Sequence, residues 1–320
     1  MTEPASGARG AGVTRHPFDA VLAWYFVLVW GSGYLATRMG VMHAPPFTFL
    51  SLRFGIAALF MLLIVAWVRP AWPVRDLDAA ARRTLLGHLV VAGLLMHAIN
   101  LSGSHYGQFL GLSAGTSALL LAAQPLLTAA LAGRWLGQPA GPGQWLGVCI
   151  GFGGVAMVVA HKIDLAEMNA ANLAAVSSAL IAITVGTLYQ RRFCAQVDLR
   201  LALLVQLLAS WAVVTPLAFA VEGFHVAWSP ELVAALAFLI VFASILANVA
   251  LHTLMRHGEA TRVTSLMYLT PLIAVALERW LFGVVPTLLT LAGGAVTCVG
   301  VALTAWRAPR PAPATATPGT

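Results

Sequence analysis

Two stretches decide how this chain is read. Ala114-Gly-Thr-Ser-Ala-Leu-Leu-Leu-Ala-Ala-Gln124-Pro125-Leu-Leu aligns with Ala260-Thr-Arg-Val-Thr-Ser-Leu-Met-Tyr-Leu-Thr-Pro271-Leu-Ile at an offset of 146 residues, so that Pro125 falls on Pro271. At the same offset Gly147 and Gly154 fall on Gly293 and Gly300, and Arg134-Trp135-Leu136 meets Arg279-Trp280-Leu281 once one residue is dropped. Upstream, an offset of 153 sets Arg38 on Arg191 and Arg53 on Gln206. Prolines and glycines recurring at one offset are hard to obtain from apolar segments that match by chance, so the pattern predicts two related halves.

Working outward, the whole chain is too greasy for a water-soluble domain. Of 320 residues 60% are hydrophobic and 9% charged, against about 25% charged in ordinary soluble domains. A bilayer-crossing helix needs roughly 20 mostly apolar residues. Stretches of that kind lie at Phe18–Thr37, Pro46–Val68, Thr84–Tyr106, Ser113–Leu136, Gln144–Ala160, Asn172–Gln190, Leu201–Val221, Pro230–Met255, Val263–Phe282 and Pro286–Trp306. The expected fold is therefore an all-α integral membrane protein of ten transmembrane helices in two five-helix repeats. Because five is odd, the second repeat must enter the bilayer from the opposite side, which is the inverted repeat of many secondary transporters.

The expected organisation is a cytoplasmic tail over residues 1–17, a first repeat over 18–160, a second over 161–306, and a disordered Pro/Ala/Thr-rich cytoplasmic tail over 307–320. The first span carries no plausible cleavage site and reads as uncleaved. With the N-terminus inside, 14 of the 18 Lys+Arg residues lie on inner segments and only Arg38, Lys162 and Arg279 on outer ones. Positive charge accumulates on cytoplasmic loops, so both termini are expected in the cytoplasm. Although the formal charge is +7, the basic residues are single and dispersed, which excludes the contiguous stripe that nucleic acid needs. Cys149, Cys194 and Cys298 form neither a disulfide framework nor a metal pattern. Gly31-Ser-Gly33-Tyr-Leu-Ala36 satisfies a degenerate dinucleotide pattern inside a span with no preceding strand, where no phosphate cradle can form.

Several motifs resemble the EamA family of the drug/metabolite transporter superfamily. They are Trp30-Gly-Ser-Gly-Tyr-Leu-Ala-Thr-Arg38, Pro46-Phe-Thr-Phe-Leu-Ser-Leu-Arg53-Phe, Gln124-Pro125-Leu and Thr270-Pro271-Leu. The resemblance covers about Ala20 to Trp306. It implies export or exchange of amino acids or similar small polar metabolites by alternating access, in the bacterial inner membrane, with the lipid bilayer and a small metabolite as partners and no cofactor. Many members carry Gly-Glu after spans four and nine. Here Gly137-Gln138 and Gly283-Val284 stand instead, so no role of those glutamates carries over.

Polar residues inside spans are the candidates for cargo contact, because burying them in hydrocarbon is costly. Arg53, seven residues into its span, either offers a bidentate partner to a cargo carboxylate or bonds structurally to the bundle. His97, Asn100 and Ser104 share one helix face by spacing, as do Ser244, Asn248 and His252. Those stripes either meet cargo or bond helices to each other, and His97 and His252 are possible proton carriers. Pro125 and Pro271 interrupt their helices at corresponding positions, which either marks a transporter's site or only kinks the helices and shapes the cavity without touching cargo. Around them Ser117, Gln124 and Thr128, and Thr264 and Tyr268, are expected to line it. Trp30 is either a cargo-stacking ring or an interface anchor. The predicted substrate-binding set is thus Trp30, Arg53, His97, Asn100, Ser117, Gln124, Asn248, His252 and Tyr268, with Pro125 and Pro271 as hinges, and no catalytic or metal-binding residue. All eleven acids lie outside the span centres, which disfavours bulky drug cations as cargo. A membrane sensor or channel, and an enzyme on lipid-linked substrates, are the alternatives. A single chain with two halves can enclose a pathway, so monomer and homodimer both remain open.

Overall fold

The computed structural model describes residues 17–70, 78–137, 140–164, 168–246 and 269–306. All regular secondary structure among them is helical. The helices are α1 (Pro17–Val41), α2 (Pro46–Val68), α3 (Ala79–Phe109), α4 (Ala114–Leu136), α5 (Pro142–Asp164), α6 (Ala170–Phe193) and α7 (Leu199–Glu222). Then come α8 (Pro230–Ala237, continuing as a π-helix over Phe238–Leu246), α9 (Thr270–Phe282) and α10 (Leu288–Trp306). Six of them, α2 to α7, contain a stretch long and apolar enough to cross a membrane. On α2 the outward face is as apolar as the inward one, with Leu59, Phe60, Leu62, Leu63 and Trp67 all exposed. A helix apolar all round needs a surrounding apolar phase.

Local signals set the helix ends. Asp78 caps α3 by accepting the Ala81 N–H at 2.7 Å, Ser113 caps α4 and Asn169 and Asn172 form a reciprocal box on α6. Asp78 starts α3 earlier than the expected Thr84, and the helix continues past Tyr106, which brings Gln108 inside it. Two interruptions shift helical phase. Leu94–Ile99 is a π-helical turn inside α3, so the regular spacing assumed for His97, Asn100 and Ser104 does not hold across it. In α4 the helix ends at Leu121, turns through Ala122 and Ala123, and resumes at Gln124 with Pro125 in its first turn, which likewise separates Ser117 from Gln124 and Thr128.

The segments Gln124–Leu136 and Thr270–Phe282 match closely. Each has 13 residues, begins with proline in its first turn, and ends on a left-handed glycine, Gly137 at φ 66° and Gly283 at φ 68°. The offset is therefore 146 throughout. No residue is dropped, and the shifted match of Arg134-Trp135-Leu136 to Arg279-Trp280-Leu281 is corrected accordingly. A left-handed C′ position favours glycine, so it pins the register better than the Arg-Trp pair.

Packing links the first five helices to the last five. Helix α2 lies antiparallel against α7, through Thr48 with Glu222, Ser51 with Thr215 and Gly55 with Trp211. Helices α5 and α10 are also antiparallel, with Gly147 against Thr304, Gly151 against Gly300, and Gly154 against Gly293 and Thr297. Helix α1 barely touches α2 and packs on α8 and α9, while α6 packs on α3 and α4. The main apolar cluster sits between α2, α7 and α8 and includes Phe49, Leu50, Phe54, Leu207, Leu232 and Leu239.

Candidate functional site

Arg53 lies on the buried face of α2. Phe49 and Ala57, one turn to either side, are 0% and 4% exposed, while Arg53 itself is partly exposed. Among the described residues Arg53 makes no ion pair and no hydrogen bond. Two imidazoles of α3, those of His97 and His105, lie alongside this part of α2. The rings are anchored against the same helix: His97 stands 6.4 Å from the Phe54 ring and His105 5.7 Å from the Phe49 ring, centroid to centroid.

Toward one end of α3 a chain of amides joins three helices. His97 Nε2 is 3.3 Å from Gln206 Oε1 of α7, and Gln206 Nε2 donates to Gln190 Oε1 of α6 at 3.1 Å. The donor at His97 follows from the amide orientation rather than from an observed proton. Gln124 reaches the same helix α6, its Nε2 donating to Thr187 Oγ1 at 3.1 Å. Asn100 turns back on its own helix and donates to the Met96 carbonyl at 3.0 Å. Ser117 and Thr270 are buried, and among the described residues their hydroxyls have no partner. Trp30 keeps 40% of its surface exposed and rests on Phe26 at 5.3 Å. Pro271 is buried in the first turn of α9 and Pro125 is exposed. Asn248, His252, Thr264 and Tyr268 lie outside the described residues, as does the side chain of Ser244.

Two carboxylates sit at the end of the bundle where α1 and α7 finish and α2 and α4 begin. Glu222, the last residue of α7, accepts the N–H groups of Phe47 and Thr48 at 2.9 and 2.7 Å, the Thr48 hydroxyl at 2.8 Å and the Tyr106 hydroxyl at 2.6 Å. Glu278 of α9, 3% exposed, accepts the N–H groups of Ala114 and Gly115, each at 2.8 Å, and pairs with Arg38 of α1. Arg38 also lies over the Phe282 ring at 4.5 Å. Each glutamate thus covers the positive start of a helix, where free N–H groups and the helix dipole favour an anion. The cavity beside Glu278 is about 10 Å³, at or below the space for one water. Sequence reasoning passed over Glu222, Tyr106, His105, Gln108 and Gln206. Glu222 and Gln108 fell just past the expected span ends, and the signal that was available was an acid next to a helix-terminal glycine, Gly223.

We expect Tyr106→Phe to weaken the Glu222 clasp by one bond of the four, about 1 kcal/mol, read as a small fall in thermal midpoint with no loss of folded protein. A larger groove of about 360 Å³ opens sideways between α3, α6 and α7, lined by Ile99, Ser102, Tyr106, Ser178, Val213 and Leu217. Its walls are mostly apolar, unlike the Arg53 region. Among the described residues no group of three or more His, Cys, Asp or Glu could hold a metal ion.

The apolar helices define an all-helical membrane protein, the class to which many transporters belong. The EamA-like transporter family model matches the chain twice, over residues 18–160 and 169–306, and the chain belongs to that family. It is 30% identical over 271 residues to "Uncharacterized inner membrane transporter YedA" of Escherichia coli K12, covering 83% of each chain. It is 27% identical over 282 residues to "Uncharacterized transporter YvbV" of Bacillus subtilis, covering 86% of this chain and 87% of that one. A "Probable amino-acid metabolite efflux pump" of Salmonella typhimurium is 25% identical over 303 residues, 88% of this chain and 93% of its own. A crystal structure 17% identical superposes with a TM-score of 0.63 over 92% of this chain and all of its own, a likeness of fold. The chain is a multi-pass membrane transporter and not an enzyme.

Proposed function

We propose that this protein exports or exchanges amino acids or similar small polar metabolites by alternating access between two inverted five-helix repeats. The observation that carries this reading is the interlock of the halves. Equivalent helices meet antiparallel, α2 on α7 and α5 on α10, while α1 and α6 each pack into the opposite half. Antiparallel contact between equivalents is what inverted repeats produce, and exchanged first helices let one half rock on the other. The two carboxylate clasps then hold one end shut. With the termini in the cytoplasm, that end is the outer one.

In this reading Gln124, Asn100, Asn248, His97, His252, Ser117 and Tyr268 supply polar contacts to cargo, Trp30 borders the pathway, Arg53 offers charge, and Pro125 and Pro271 shape the cavity. The low-identity relationship to an amino-acid metabolite efflux pump supports the cargo class. The test is counterflow of labelled amino acids and organic cations into liposomes holding the purified chain. Saturable exchange supports the reading, and non-saturating flux points to a channel. We expect Gln124→Ala to cut transport at least fivefold with folded protein nearly unchanged, since its one side-chain bond to Thr187 contributes about 1 kcal/mol to stability. Normal transport by that variant removes Gln124 from the site.

A further inference from the structure

We propose that the sideways groove between α3, α6 and α7 is a binding site for one acyl chain of a bilayer lipid. The site is separate from the Arg53 region and does not depend on what the protein carries.

The groove exists because α3 and α7 are tied at two levels and stand apart between them. At the first tie a Cβ on Gly93 of α3 would stand 2.6 Å from Gln206 Cα of α7, and the Ser210 hydroxyl donates to the Gly93 carbonyl at 3.1 Å. The π-helical turn Leu94–Ile99 follows at once and changes the phase of α3. At the second tie the Tyr106 hydroxyl donates to Glu222, the last residue of α7, at 2.6 Å. Between the ties Ala98, Ile99 and Ser102 of α3 and Val213, Val214 and Leu217 of α7 border a space of about 360 Å³. Helix α6 closes the back, where Gly103 lies so near Ser178 that a Cβ would stand 2.6 Å from its hydroxyl oxygen. The edge-to-face rings of Phe47 and Tyr106, 4.9 Å between centroids, cap one end.

Three observations choose the occupant. The first is chemistry. The Ser178 hydroxyl already donates to the Ala175 carbonyl at 2.7 Å and the Tyr106 hydroxyl to Glu222, so the groove offers little to a polar solute beyond the Ser102 hydroxyl. Such a solute would lose its hydration without replacing those bonds, and water does not fill an apolar cavity. The second is position. Ile99, Val213 and Leu217 are exposed, and α3, α6 and α7 each contain a stretch able to cross a membrane, so the mouth meets hydrocarbon. The third is length. Eight residue steps separate Ala98 from Tyr106, a rise of about 12 Å at 1.5 Å per residue. One leaflet is about half of the ~30 Å hydrocarbon core, so the groove matches a chain of a single leaflet. Left empty, its walls would forfeit their dispersion contacts; a methylene chain supplies them and brings no polar group that needs a partner.

The experiment places the full-length protein in liposomes of phosphatidylcholine that carries a photoactivatable diazirine along one acyl chain, and locates the adducts by mass spectrometry of peptides. Lipid that merely surrounds the protein is measured on α2 at the exposed Leu59, Leu62 and Leu63. We expect labelling of Ile99, Ser102, Val213 and Leu217 to exceed that of the α2 face at least fivefold. Ser102→Phe fills the groove from α3 and should bring its labelling down to the α2 level. Val213→Phe fills it from the opposite wall and should do the same, which keeps the test open if one variant fails to fold.

Labelling of the groove no stronger than that of α2 overturns the site and leaves surrounding lipid alone. Strong labelling that both folded phenylalanine variants retain overturns it as well, because the chain then lies outside the groove. Protection of the groove by millimolar leucine overturns the acyl chain as occupant and puts cargo there instead. None of these outcomes alters the transport reading, which counterflow tests separately.

Discussion

Glu278→Ala should abolish transport and lower the stability of the folded protein by about 2–6 kcal/mol, the cost of leaving two buried helix-start N–H groups without an acceptor at about 1–3 kcal/mol each. The carboxylate is 3% exposed and answers three groups at once: the first two N–H groups of α4 and the Arg38 guanidinium. Removing it leaves two helix-terminal N–H groups facing a cavity with at most room for one water. The comparison that separates a clasp from an ordinary ion pair is Arg38→Ala. Arg38 keeps 29% of its side chain exposed, so losing it removes one partner that solvent can partly replace, about 1 kcal/mol. Charge reversal, with Arg38→Glu and Glu278→Arg together, should not rescue, because an arginine cannot accept the N–H bonds of Ala114 and Gly115. Thermal midpoints of the four proteins check the ordering. Reaction of a cysteine placed at Ser113 with an impermeant maleimide reports whether that end has opened. Equal effects of Glu278→Ala and Arg38→Ala would show that the helix start contributes nothing.

Gly300→Leu should prevent the protein from accumulating in folded form. A Cβ at Gly300 would stand 2.3 Å from Gly151 N and 2.6 Å from Gly147 O. These are backbone atoms of α5 that cannot swing aside, so the two helices must separate along their length. Overpacking costs roughly 1–3 kcal/mol where side chains can adjust, and more is expected where only the backbone can. Gly300→Ala already meets that clash, so we expect it to be nearly as damaging as leucine. Gly154→Ala should behave alike, with a Cβ 2.5 Å from Gly293 O and Thr297 N. Gly153→Ala is the control, since nothing lies within 4 Å of its Cβ position. Alanine there should be neutral or slightly stabilising through helix propensity. Monodisperse yield in detergent, with thermal midpoints for variants that survive, measures the series.

These two expectations differ in how far the sequence anticipates them. Glycines at positions 147, 151 and 154 repeat at helical spacing, and small residues on one face signal close helix approach in a membrane. The helix they would meet was not legible, since any of several apolar segments carries small residues. Glu278 was visible only as an acid near a span end. That it covers the start of α4, 163 residues away from Gly115 in the chain, depends on where two helices come to lie.

The site divides the same way. Arg53 stands out in the sequence because an apolar run rarely contains arginine, yet the sequence left open whether it meets cargo or bonds to the bundle; in the fold it lies on the face of α2 where Phe49 and Ala57 are buried. His97, Asn100 and Ser104 looked like one stripe because a regular helix was assumed, and the π-helical turn at Leu94–Ile99 breaks that regularity. His105 and Gln108 carried no pattern at all. Both are buried on α3, and the burial of a polar side chain is a property of packing.

By itself the sequence determined that this is a helical membrane protein, because apolar length, proline and glycine act locally along the chain. Only the tertiary structure decided which helices pack together, α1 on α8 and α9 and α6 on α3 and α4, and which helix starts Glu222 and Glu278 cover. Those depend on contacts between residues far apart in sequence, and in a bilayer the apolar segments are interchangeable enough that their pairing is chosen by close fit and hydrogen bonds rather than by hydrophobicity.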